Sequence, residues 1–140
     1  MCKETFTLPT VLARFEKTGV ITNEQTSSIG TVGMTSRASG VNRDIRMSHP
    51  HDLYSSFSHQ PIIKNHGDVY SRAQVRKEEI KQSIGYIRKL LENNPEENKS
   101  RNILSQPSPD SFAISLTEGW RGEICHCAVT DEKVSWHTIK

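Results

Sequence analysis

The sequence predicts a mainly α protein with one small antiparallel β hairpin. Three observations carry that reading. Ile80, Ile84, Ile87 and Leu91 step by four, three and four residues, the spacing that lines one face of a helix. Leu8, Val11, Leu12 and Phe15 repeat a helical pattern near the N-terminus. Toward the C-terminus the period changes to two, with Ile124, His126 and Ala128 alternating with Cys125, Cys127 and Val129.

Residues 1–30 read as short helices. Pro9 suits a first helical turn because its φ is already fixed there, and Gly19 follows where a left-handed residue can end the helix. Thr22 with Gln25 makes a capping box for a second helix, and Gly30 lies one residue past Ile29 as its C-terminal stop. Residues 31–67 carry neither period and read as an irregular loop region, rich in Gly, Ser and His, with Val41, Ile45, Leu53, Tyr54, Phe57, Ile62 and Ile63 scattered as anchors. Asp68 can cap the long helix placed over residues 68–93, from about Val69 to Glu92. Along it Glu78 and Lys81 are spaced as an i,i+3 pair and Arg88 and Glu92 as an i,i+4 pair, and Asn93-Asn94-Pro95 ends the run. Gly85 sits mid-helix at a cost of about 1 kcal/mol against Ala, so it marks either an exposed position or a close neighbouring backbone. Residues 94–111 are polar and proline-rich, a linker. In the hairpin region, residues 112–140, the polar run Thr130 to Lys133 separates Ile124–Val129 from Val134–Ile139.

Composition bounds the function. At 140 residues the chain has the length of a single domain, and 34% hydrophobic and 6% aromatic residues with a mean hydropathy of -0.60 leave a thin core or one completed by partners. The net charge is +2, with both signs interspersed along the whole length, which argues against a nucleic-acid partner. No apolar run approaches the roughly 20 residues of a spanning helix, and no signal peptide is recognisable, so the expected location is cytoplasmic. Three cysteines, two of them only two positions apart, exclude a disulfide scaffold.

Few motifs carry chemistry. Cys125-His126-Cys127 with His137 offers thiolate and imidazole donors for a small zinc-binding module, but alternation puts the two thiols on one strand face and His126 on the other, so a closed site needs imported ligands. His49-Pro50-His51-Asp52 places imidazoles beside a carboxylate without any nucleophile motif, and Gly30, Gly33 and Gly40 do not form a phosphate loop. Glu118-Gly119-Trp120-Arg121-Gly122-Glu123 sets two glycines around an Arg, which lets the backbone come close to a neighbour while the guanidinium is held beside it; a salt-bridged turn reads equally well.

Longer blocks carry a resemblance. Arg37-Ala38-Ser39-Gly40-Val41-Asn42-Arg43-Asp44-Ile45-Arg46, His49-Pro50-His51-Asp52-Leu53-Tyr54 and Gly67-Asp68-Val69-Tyr70-Ser71-Arg72-Ala73-Gln74-Val75-Arg76 resemble the large subunit of membrane-bound, energy-converting nickel-iron hydrogenases of the formate hydrogenlyase type. They are also similar to the core subunit beside the quinone cavity of NADH:quinone oxidoreductase. Glu78-Glu79-Ile80 and Gly19-Val20-Ile21-Thr22 extend the likeness, which covers about Val11 to His126. In the hydrogenases a Glu precedes an Arg-Gly pair and a His follows the Arg by five positions; Glu118, Arg121-Gly122 and His126 stand in those places. The resemblance therefore implies catalytic roles for Arg121, Glu118 and His126, with Arg121 over the nickel-iron centre. Arg121, where the quinone branch usually has Lys, leans the likeness to the hydrogenase side.

The departures shape the expectation. The family holds nickel and iron with four cysteines in two Cys-x-x-Cys pairs, and neither pair occurs here. The chain is therefore expected to be an internal fragment of the hydrogenase large-subunit fold, a truncated gene product or a cut piece, with no metal ligands and no cofactor of its own, inactive alone. For the complete enzyme the resemblance implies electron transfer, quinone and NAD binding, and as partners the remainder of the large subunit, an iron-sulfur small subunit and membrane-embedded subunits, with the assembly peripheral to the cytoplasmic membrane. A non-catalytic scaffold or assembly piece is the alternative from another class. Surfaces that are covered in the whole large subunit should be exposed here, giving marginal stability or self-association.

Overall fold

The computed structural model describes residues 2–50, 54–92, 107–133 and 136–139. Seven helices precede a three-stranded sheet among these residues: α1 Cys2–Thr5, α2 Pro9–Phe15, α3 Asn23–Ile29, α4 Gly33–Ala38, α5 Ile45–Ser48, α6 Tyr54–Phe57, α7 Val69–Glu92, then β1 Phe112–Gly119, β2 Gly122–Thr130 and β3 Trp136–Ile139.

The caps form as their chemistry dictates. Gln25 N–H donates to the Thr22 hydroxyl (3.2 Å) and Thr22 N–H to the Gln25 side chain (3.0 Å), while Gly30 ends α3 at φ 72°. Asp68 accepts from Ser71 N–H (2.8 Å) at the start of α7 and from Lys17 N–H (2.9 Å), tying the loop after α2 to the long helix. Arg72 strengthens the same junction by donating to the carbonyls of Gly67 (2.7 Å) and Gly19 (3.1 Å). Helix α2 stops at Phe15, before Gly19, and both Lys17 and Gly19 turn the chain with positive φ.

Three features depart from the sequence reading. Residues 31–67 are not continuously irregular: α4, α5 and α6 lie within them, too short to show a period. The sheet gains β1, which pairs with β2 from Phe112↔Val129 to Gly119↔Gly122 around a two-residue Trp120-Arg121 turn. Glu78 pairs with Lys64 (2.8 Å), a residue outside the helix, instead of Lys81. The expected hairpin is present as the second turn of this sheet, with β3 running antiparallel to β2 from Thr130↔Trp136 to Cys127↔Ile139. Residues 93–106, which hold most of the expected linker, residues 51–53 of the His-Pro-His-Asp run, and Val134 lie outside the described residues.

The core sits where α4 and α5 meet α7 and the tip of the β1–β2 hairpin. Its buried apolar residues among those described are Ala38, Ile45 and Val75, against nine buried polar or charged ones. Helix α7 turns Ser71 and Val75 inward, whereas its aliphatic stripe Ile80, Ile84, Ile87 and Leu91 is exposed. The hairpin tip also meets the segment that starts α4 backbone to backbone. A Cβ built on Gly33, whose φ is +66°, would run into the Arg121 carbonyl and Gly122 Cα, and one on Gly122 would meet Val32 and Gly33. This contact needs both glycines, which answers what the Gly-Trp-Arg-Gly turn approaches so closely.

Candidate functional site

Above the hairpin tip, ion pairs fill the space that aliphatic packing would occupy in an ordinary core. Arg37, on α4 and 2% exposed, reaches Glu79 of α7 (2.7 Å), Glu118 at the end of β1 (3.0 Å), Asp44 at the start of α5 (3.4 Å) and the Arg43 carbonyl (3.3 Å). A guanidinium suits this junction because its planar fork donates in several directions at once and stays charged when buried. Arg46 holds both oxygens of Asp44 at 2.9 and 2.6 Å and also reaches Glu79 at 3.0 Å. Asp44 caps α5 as well, accepting from Arg46 N–H at 3.0 Å.

Asp44 continues the network to an imidazole. His59, 4% exposed, sits 3.1 Å from Asp44 through Nε2 and 2.8 Å from the Tyr86 hydroxyl through Nδ1. Phe57 stacks on Tyr86 at 4.7 Å and Tyr54 meets it edge-on, which fixes the rings. Burial by itself would raise the Asp44 pKa, but hydrogen bonds from Arg46 and His59 and the charges of Arg46 and Arg37 outweigh it and hold the carboxyl well below the usual range. For Arg46 burial pulls the other way, and its bonds and charge interactions with Asp44 and Glu79 raise its pKa above the usual arginine value. Both groups stay ionised across ordinary pH.

A cavity of about 390 Å³ opens beside this network. Arg37, Arg46, Glu79 and Glu118 line it together with Arg76, Ile80, Ile84 and Trp120. Arg76 lies 4.9 Å from the Trp120 ring centroid and donates to the Met34 sulfur. The pocket thus combines ion-paired side chains with apolar ones, a mixed lining that can orient a polar group.

The structure separates the residues singled out in the sequence. Glu118 belongs to the ionic network, its side chain 6% exposed. Arg121 is exposed at the hairpin tip, and Arg43 pairs with Glu123 beside it (2.5 Å). His126 is exposed opposite Ser115, and alternation places it on the sheet face away from Glu123 and the two cysteines. Cys125 and Cys127 share a face at 3.7 Å between sulfurs. His49 is exposed against the Ser48 hydroxyl (3.1 Å), and the side chain of His137 lies outside the described residues. Sequence reasoning missed the network itself, although Arg37, Asp44, Arg46 and Glu79 all fall in the blocks that carried the resemblance. Opposite charges packed into Arg43-Asp44-Ile45-Arg46, within a region with little else to bury, were the available signal.

The nickel-iron centre implied by the resemblance does not fit these residues. Four thiolates are needed and the chain has three cysteines, two of them in Cys-x-Cys spacing on an exposed strand. Among the described residues no group of three or more His, Cys, Asp or Glu is placed to hold a metal ion. Nor, among them, is any helix long and apolar enough to cross a membrane.

Comparison with known proteins agrees with the blocks read from the sequence. The chain is similar to the C/D subunit of NADH-quinone oxidoreductase from Phocaeicola vulgatus, 37% identical over 113 residues that make up 79% of this chain and 21% of that protein. It is 31% identical over 135 residues to the carbon monoxide-induced hydrogenase of Rhodospirillum rubrum, covering 93% of this chain and 37% of the relative. Among solved structures it is similar to a chain of the membrane-bound sulfane sulfur reductase, an archaeal respiratory membrane complex, with a TM-score of 0.80 and 26% identity over 97% of this chain and 38% of that one. The fold is thus that of a large subunit of this kind, mainly helical with an antiparallel sheet, and this chain spans between about a fifth and two fifths of these proteins. Residues 5–136 match the family described as the respiratory-chain NADH dehydrogenase 49 kDa subunit, and the chain belongs to that family.

Proposed function

We propose that the chain contributes one wall of the large subunit in an energy-converting, membrane-associated oxidoreductase, of the hydrogenase or NADH:quinone reductase type, and does not carry the metal centre. The observation that carries this reading is the joining of Arg37, Asp44, Glu79 and Glu118 into one buried network inside the segment that matches the family. In the assembled enzyme, electrons pass between a nickel-iron or quinone site and iron-sulfur clusters of a small subunit. Arg121, exposed at the hairpin tip, reaches toward that site from the wall; Glu118 acts through Arg37 as a positioning residue, and His126 faces a neighbouring surface.

The exposed stripe of Ile80, Ile84, Ile87 and Leu91 faces the remainder of the large subunit, since this chain spans only 38% of its structural neighbour. Membrane-embedded subunits hold the whole at the cytoplasmic face. Cysteines too few for a four-thiolate centre favour, for this chain taken alone, the second reading of a non-catalytic assembly piece. One experiment tests both: the purified chain is assayed for hydrogen uptake and quinone reduction, then co-produced with the products of flanking reading frames. The expected result is no turnover alone and stoichiometric retention with an iron-sulfur subunit. Turnover by the isolated chain, or failure to associate with any such subunit, overturns the proposal.

A further inference from the structure

Outside the ionic network, β2 carries a second constellation that the family likeness does not use. Cys125 and Cys127 lie on one face of the strand with their sulfurs 3.7 Å apart. Cys125 is exposed and Cys127 partly so. Their cross-strand partners on β1, Leu116 for Cys125 and Ile114 for Cys127, are aliphatic and bring no competing hydrogen-bonding group. Glu123, next along the same face, is engaged by Arg43 through two guanidinium bonds.

The sulfur separation decides what the pair suits. Zinc–thiolate bonds of about 2.3 Å at a tetrahedral angle set two sulfurs about 3.8 Å apart, close to the separation seen here. A disulfide requires about 2.0 Å, and two strand residues at i and i+2 have Cα atoms about 6.7 Å apart, at the far end of what a disulfide spans. Closing the sulfur bond would therefore bend β2 and strain its pairing with both neighbours, whereas a bridging ion takes the side chains nearly as they stand. Softness points the same way, because paired thiolates select zinc-class ions over magnesium or calcium.

We propose that Cys125 and Cys127 form a two-thiolate chelate for a single zinc-class ion on the exposed face of the sheet, with its two remaining positions open to solvent or external donors. Binding breaks two S–H bonds, forms two metal–sulfur bonds and releases two protons to solvent, with no electron transferred. The shared hydrogen bond with Cys127, slight desolvation and the nearby negative groups Cys127 and Glu123 raise the Cys125 thiol pKa, so the ion must displace its proton to bind there.

The test is titration with Cd²⁺ and then Zn²⁺ of the full chain carrying Cys2→Ser, following sulfur-to-cadmium absorbance and thiol reactivity. One cadmium per chain should bind and protect two thiols together. Affinity should rise by up to about a hundredfold per pH unit below the thiol pKa, against about tenfold for a single thiolate. Cys125→Ser and Cys127→Ser should each weaken binding by about a hundredfold, while His126→Ala, on the opposite face, leaves it unchanged; far-ultraviolet circular dichroism checks that each variant is folded. Equal binding by either single-cysteine variant overturns the proposal. So does half a cadmium per chain, dependence on His126, or conversion to a disulfide with no metal uptake.

Discussion

Around Arg37 this protein buries charge, while along the outer half of α7 and the free end of the sheet it exposes aliphatic and aromatic surface. Arg37 and Asp44 are 2% and 1% exposed, yet Leu91 and Phe112 are 74% and 62% exposed. Apolar burial drives most folds without regard to direction. Here the buried centre is directional: the pairs of Arg37 with Asp44, Glu79 and Glu118, and of Arg46 with Glu79, each tie one element to another. Removing charge from water costs several kcal/mol per ion, so the network adds specificity of arrangement more than net stability. The apolar surface, left uncovered, is where stability becomes available once another chain is present. Fold definition and fold stabilisation are thus located in different parts of the molecule.

The largest effect that could break this contrast is at its centre. Arg37→Ala leaves Asp44, Glu79 and Glu118 without their shared partner and should cost about 3–5 kcal/mol, read as loss of the cooperative urea transition. A variant that melts like the original would show that the network is not what orders the interior. Protonation opens the same centre more gently. The folded pKa of Asp44 lies below its unfolded value of about 3.9, so its contribution is complete above that pH and is lost as pH falls below it. The urea midpoint should accordingly begin to drop near pH 4 and keep falling as the pH is lowered further; an unchanged midpoint would mean that Asp44 is not held by its partners.

Gly33→Ala attacks the seam between helices and hairpin without touching any charge. The new methyl meets backbone at a positive φ, and a loss of about 1–3 kcal/mol is expected from thermal melts. Hydrogen exchange should locate the loosening in β1 and β2. The smallest effect belongs to the exposed half of α7. Nothing lies within 4 Å of a Cβ built on Gly85, so Gly85→Ala should stabilise by about 0.5–1 kcal/mol through helix propensity alone. Destabilisation there would place a neighbour against that surface and erase the difference between the two regions.

Local signals make part of this legible in advance. Thr22 with Gln25, Asp68 and the run from Val69 to Glu92 are short-range devices, and each appears where the sequence puts it. Period alone does not say whether the stripe from Ile80 to Leu91 is covered, because that depends on what packs against it. Strand β1 is hard to see because Phe112, Ile114 and Leu116 alternate beside a proline-rich run and the Trp120-Arg121 turn lacks the Asn-Gly signature. At the site, Glu118 stands out in the sequence as a catalytic candidate, but Arg37, which holds it, lies 81 residues away, and Glu79, which shares that Arg37, lies 42 residues from the guanidinium. Charge opposite charge in space has no sequence period.

Those separations have a kinetic consequence. Arg37 closes one loop of 42 residues to Glu79 and another of 81 residues to Glu118, so its full set of bonds cannot form until α4, α7 and β1 have all been made and brought together. The long helix can begin from its own cap and the hairpin from its own turn, but the ionic centre records the meeting of both. It is the late step of folding, and on a ribosome it waits until β1 has emerged.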